Sequence, residues 1–156
     1  MYFTTLIFTL LLSHIARAMP ACGDVASPQD MYDKYGNEQL VLATYRATLD
    51  QTYDNLNGNT NGVACSNLAS RFPQFVNFST FPYIGGAFDT TFNSAQCGNC
   101  WQLTNPNTGW WIYFTAIDKA AGFNIGQNAF GALGASVAAG AVDVEAVLVN
   151  RAICGT

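Results

Sequence analysis

The chain has 156 residues, of which 10% are charged and 50% hydrophobic, and its formal net charge is −4. That length holds one domain with a real core and hardly two. The acidic balance and the lack of a basic cluster argue against a nucleic-acid partner, and few charges with many Gly, Asn and Thr suit a compact domain that binds something uncharged.

The first residues read "MYFTTLIFTLLLSHIARA", an apolar run from Phe3 to Leu12 and then Ala16-Arg17-Ala18. Small residues at those positions mark a cleavage site, so residues 1–18 read as a signal peptide. The run is too short to span a bilayer, and no second apolar segment approaches spanning length. The mature protein is expected to be secreted, extracellular or held in the cell wall.

Residues 19–46 differ in character from the rest of the mature chain and read as an N-terminal extension: an appendage, a propeptide or a docked helix. In "SPQDMYDKYGNEQ", Ser27 caps, Pro28 enters the first turn, and Gly36-Asn37 can end a helix. The extension carries Cys22, which is able to form a disulfide dimer or to leave with a cleaved segment.

From Val41 the pattern becomes β-like. "LVLATYRATLD" and "CWQLTN" suit strands. "GWWIYFTAID" alternates, with Trp110, Ile112, Phe114 and Ala116 on one face and Trp111, Tyr113 and Thr115 on the other. "VDVEAVLVN" groups Val142, Val144, Ala146 and Leu148. Turn-rich stretches separate the strands, and "NLASRF" and "QNAFGALG" suit two short helices. The expected fold is mainly β with two short helices, a small barrel rather than an α/β sheet.

The five cysteines are Cys22, Cys65, Cys97, Cys100 and Cys154. "CGNCW" admits a redox pair, half of a zinc site or two disulfide anchors. A redox pair sits at a helix start, whereas "CWQLTN" continues as a strand. Zinc needs two further ligands, and the single histidine, His14, lies in the signal. No metal or cofactor is therefore expected, and in an oxidising compartment the disulfide reading leads. Four cysteines pair in three ways, which spacing leaves open.

In order, "LDQTYDN", "NGVACSN", "FPYIGG", "CGNCWQLT", "AIDKAAGFNI" and a final lone Cys resemble the cerato-platanin family of secreted fungal proteins, over about residues 47–155. The resemblance implies a six-stranded double-psi β-barrel akin to the first domain of expansins, spanning residues 47–156. It also implies the bridges Cys65–Cys97 and Cys100–Cys154. Two positions depart from the family pattern: Leu49 stands where a Tyr precedes the Asp, and Leu68 where a Gly comes after VACSN.

The resemblance places Asp118 at a polysaccharide groove, where its carboxylate accepts hydrogen bonds from sugar hydroxyls or an acetamido N–H. The competing role is an Asx-type turn in which Asp118 caps its own backbone. Tyr53, Asp54, Asn99, Gln102 and Asn124 are the further groove candidates, because amides offer both donors and acceptors to sugars. The expected function is non-catalytic binding of chitin or N-acetylglucosamine oligomers. Expansin-like loosening of cellulose-containing wall and sensing by plant surface receptors as a defence elicitor are implied with it. The rivals are a glycoside hydrolase using Asp118 with a second carboxylate and a surface-active film former. Without a histidine beyond the signal, a Ser-His-Asp or Cys-His site is excluded. Asn77-Phe78-Ser79 is a glycosylation sequon.

Overall fold

The computed structural model describes residues 43–156; the signal segment, the helix expected after Ser27, and Cys22 lie outside the described residues. Six strands are present: β1 (Ala43–Leu49), β2 (Ile84–Ala87), β3 (Cys100–Thr104), β4 (Trp111–Lys119), β5 (Phe123–Ile125) and β6 (Ala141–Val149). They close into a barrel in the order β1-β5-β2-β4-β3-β6. β1 runs parallel to β5 and β2 parallel to β4, while the other four pairings are antiparallel. The two parallel crossings give the doubly looped topology expected from the resemblance. β1 already pairs with β6 at Ala43, opposite Ala146, ahead of residue 47.

The alternation in the sequence sorts side chains between two cores. Ile112, Phe114 and Ala116 of β4 point into the barrel, where they meet Trp101, Phe123 and Val144. Phe123 receives Trp101 and Phe114 edge-on, each with ring centroids 5.7 Å apart. Such geometry adds to the area that each ring buries. A second cluster lies outside the barrel, where Tyr53, Phe72, Phe75 and Phe78 of the long β1–β2 connection pack on Ile84 and Ile117. Leu49 packs against the inner core and Leu68 against the outer one, so both departures from the family pattern serve packing.

One of the two expected helices forms: α1, Gln127–Ala132. "NLASRF" does not. There the chain makes a 3-10 turn at Ser66–Leu68, closed by bonds such as Leu68 N–H to Cys65 C=O. Cys65 is tied to Cys97, and the few residues after it are too short a stretch to offset helix nucleation. Trp110 departs from its expected face: it lies before β4 and is exposed, whereas Trp111 is half-buried edge-on to Tyr113.

Both disulfides match the pairing implied by the resemblance. Cys65–Cys97 spans 32 positions and Cys100–Cys154 spans 54, with Cα separations of 5.4 and 5.7 Å. Closing loops of that size removes about 4 kcal/mol of unfolded-chain entropy each in the chain-entropy model. Cys97 and Cys100 are thus anchors of two bridges that run to different parts of the chain. No helix among the described residues is long and apolar enough to cross a membrane.

Candidate functional site

Asp118 owes its position to an irregularity in the sheet. β2 and β4 pair Ile84 with Thr115 and Gly85 with Ala116, then slip so that Gly86 faces Asp118 and Ile117 is left over. A bulge of this kind re-aims a side chain. Ile117 packs into the outer cluster, and Asp118 follows it outward to Tyr53 of the same cluster. The Tyr53 hydroxyl donates to Asp118 Oδ2 at 3.1 Å. Oδ1 accepts from the backbone N–H groups of Ala64 at 2.9 Å and Lys119 at 2.8 Å. The carboxylate therefore caps its own turn and also pins the loop leading into Cys65. Burial, then the adjacent Asp118 carboxylate, push the Tyr53 hydroxyl far above the ordinary tyrosine range, so it stays protonated and remains a donor.

Gly86 lies opposite both Asp118 and Asn124, and Asn124 lies opposite Thr48. Opposed residues share a face of a sheet. Thr48, Asn124, Gly86 and Asp118 thus form a row across four strands on the outside of the barrel, while Ala47, Phe123 and Ala87 point inward. Asp118 and Asn124 stand two strand spacings apart, roughly 10 Å, and both are half-buried. Between them Gly86 is buried and carries no side chain; a Cβ there would lie 3.0 Å from the Ala120 Cβ and 3.1 Å from the Lys119 carbonyl oxygen, so the chain leaving β4 packs closely over this position. The Thr48 hydroxyl donates to Asn124 Oδ1 at 2.5 Å. That bond leaves the Asn124 amide hydrogens to serve a ligand, so the row offers a donor at one side and a carboxylate acceptor at the other.

The remaining candidates are placed elsewhere. Asp54 accepts from the N–H groups of Gln127 and Asn128 at 2.6 and 3.1 Å and from the Asn128 amide at 2.8 Å. It caps α1, whose own cap position, Gly126, has no side chain to do so. Asn99 is buried between Asp89, to which its Nδ2 donates at 2.6 Å, and Arg151, whose Nη2 donates to its Oδ1 at 2.6 Å. Gln102 is buried on β3 opposite Tyr113 and Val147, well down the strand direction from Asp118. Asn77 is exposed, with Oδ1 accepting from Gln74 N–H at 2.8 Å.

A cavity of about 430 Å³, lined by Thr80, Tyr83, Trp111, Tyr113 and Ile153 among others, lies away from Asp118. Among the described residues no three His, Cys, Asp or Glu side chains gather as metal ligands. The row brings in Thr48 and Gly86, neither of them expected from the sequence. The signal for Gly86 was the glycine pair inside a strand, which marks a close backbone approach.

A family model described as Cerato-platanin matches residues 46–156. Cerato-platanin of Ceratocystis fimbriata f. sp. platani is 38% identical over 99 residues, which cover 59% of this chain and 73% of that protein. The allergen Asp f 15 homolog of Arthroderma benhamiae is 34% identical over 99 residues, 60% of this chain and 48% of that protein. The match therefore spans about half the length of that relative. Among solved structures, cerato-platanin 2 from M. perniciosa superposes with a TM-score of 0.68 at 40% identity, covering 73% of this chain and 100% of that one. The fungal elicitor cerato-platanin in solution gives 0.61 at 34% identity, with 70% and 95% covered. By sequence model, relatives and barrel alike, this chain belongs to the cerato-platanin family.

Proposed function

We propose that the row from Asp118 to Asn124 binds N-acetylglucosamine oligomers, and that the protein is a secreted, non-catalytic binder of wall polysaccharide. The observation that carries this reading is the pair of polar side chains on one face, separated by Gly86 and each held by its neighbours. The carboxylate accepts from sugar hydroxyls or an acetamido N–H, and the Asn124 amide donates to hydroxyl or acetyl oxygens. Prior fixation by Tyr53, Ala64 and Thr48 lowers the ordering cost of binding.

Each such contact contributes about 0.5–1.5 kcal/mol net, so affinity is low for short oligomers and rises with length. Loosening of chitin- or cellulose-containing material proceeds by competition: the row replaces inter-chain hydrogen bonds, and no covalent bond breaks. The elicitor role rests on similarity to a relative described as a fungal elicitor.

Glycoside hydrolysis requires a second carboxyl about 5–5.5 or 6.5–9.5 Å away. The hydrogen-bond partners of Asp118 are a hydroxyl and two backbone N–H groups, a set that favours the binding role. The test is to incubate the mature protein with chitin and cellulose oligomers of increasing length, scoring both binding and new reducing ends. Length-dependent binding without products, weakened in Asp118→Ala, is the expected result. Sustained release of reducing ends that Asp118→Asn abolishes would establish the glycosidase instead.

A further inference from the structure

Trp110 is 58% exposed, yet it sits on a firmly held turn. The buried Asn105 donates from Nδ2 to the Leu133 carbonyl at 2.9 Å, and the Thr108 hydroxyl donates to the same carbonyl at 3.0 Å. Asn105 N–H donates to the Trp110 carbonyl at 2.9 Å, and Trp110 N–H donates to the Thr108 hydroxyl at 3.2 Å. The β3–β4 turn is thereby fastened to the end of α1.

Gly134, at φ +67°, lies against the indole: a Cβ there would come 3.2 Å from Trp110 Cε3 and 3.0 Å from Thr108 Cγ2. Only glycine adopts that backbone freely and leaves the ring this seat. Asn107, Thr108 and Ser136 are exposed nearby in sequence, and no charged side chain occurs between residues 105 and 117 or between 133 and 142.

We propose that Trp110 is a second sugar-binding position, taking the C–H face of a neutral pyranose in a wall polysaccharide. A flat ring fixed from behind, on uncharged stretches of chain that carry exposed hydroxyl and amide residues, matches a sugar that is apolar on its faces and hydroxylated on its edge. Scattered exposed apolar residues are ordinary; this one is set apart by its fastening and by the uncharged stretches that hold it.

Trp110 precedes Asp118 by eight positions along the β4 direction, roughly 26 Å at the rise of an extended strand. The two positions therefore lie at opposite ends of the barrel, and a disaccharide cannot reach both. An insoluble polymer can, and a second contact then acts at high effective concentration. This inference rests on the proposed polysaccharide-binding function.

The test uses the mature protein, Asp118→Ala, Trp110→Ala and Trp110→Tyr, each checked to be folded at the assay temperature by a cooperative thermal transition above it. Trp101 is buried and Trp111 half-buried, so Trp110 is the most water-exposed of the three, and a shift that vanishes in Trp110→Ala is assigned to it rather than to Trp111. Chitobiose and cellobiose should shift the tryptophan emission to the blue in the wild type and in Asp118→Ala. Co-sedimentation with insoluble chitin and cellulose should weaken about tenfold in Trp110→Ala and recover in Trp110→Tyr. Wild-type sedimentation of Trp110→Ala, or emission unmoved by either sugar, overturns the inference even if Asp118→Ala loses oligomer binding. Emission that responds while Asp118→Ala binds long oligomers normally overturns the row as the site and leaves Trp110 standing. Loss in Trp110→Ala of adsorption to an air–water interface alone, with sedimentation intact, also overturns it.

Discussion

At the Asp118 end of β4, covalent bonds hold the loops. Cys65 comes directly after the residue whose N–H binds Asp118, and Cys100 pairs across from Thr115 of the same strand. At the opposite end, where the C-terminal end of α1 meets the β3–β4 turn, the holding is done by hydrogen bonds, from Asn105 and Thr108 to the Leu133 carbonyl. The difference tracks the local chain. The long β1–β2 connection holds 3-10 turns and a single bridge between Asn59 and Gln74 besides the outer aromatic cluster, and the Cys65–Cys97 crosslink compensates for its lack of extended ladders. The Trp110 end has a helix and a hairpin, whose orphan backbone groups can be met by side chains.

The largest test of this contrast removes a crosslink. Replacing Cys100 and Cys154 together by Ala should lower the unfolding free energy by about 4 kcal/mol, read from denaturant titration. Amide exchange in the same variant should rise first around the Asp118 end; uniform acceleration would contradict the division into two differently held ends.

Asn105→Ala probes the other end. It removes a buried amide from a shared carbonyl and should cost about 2 kcal/mol, with exchange rising around α1 and the 105–110 turn and little change near Cys65.

The smallest effect is expected from Tyr53→Phe, about 1 kcal/mol near neutral pH. Its pH dependence is more informative. Burial raises the folded-state pKa of Tyr53, so its contribution is complete below the unfolded value of about 10. It is lost as pH rises beyond that value, where the unfolded chain releases the proton and the folded one retains it. The wild type should therefore lose stability above about pH 10, and Tyr53→Phe should lose it less steeply, by up to about 1.4 kcal/mol per pH unit. Parallel alkaline limbs would mean that Tyr53 is not held protonated by its surroundings.

Much of the barrel was legible because strand periodicity is local. Ile112, Phe114 and Ala116 alternate inward as their spacing requires, and Val144 and Ala146 do the same on β6. The site was less legible because its geometry arises from pairing between distant strands. Nothing near Asp118 in sequence announces that Ile117 bulges, or that Gly86 brings Asn124 into line. Asn99 and Asp54 looked like equally good amide and carboxylate candidates. Asn99 is held by Asp89, 10 positions away, and by Arg151, 52 away, and Asp54 by α1, 73 positions or more away, pairings that no helix or strand period announces. Trp110 failed its expected alternation because β4 begins one residue later, after a turn held by Asn105.

The central claim is that Asp118 and Asn124, on the strands either side of Gly86, form one sugar-binding surface. Residue-resolved NMR during titration with chitin oligomers of increasing length tests it most directly. The prediction is a coherent set of shifts at Thr48, Gly86, Asp118 and Asn124 that saturates at lower concentration as the oligomer lengthens. Saturating shifts confined to other parts of the barrel, with those four amides unmoved, would contradict it.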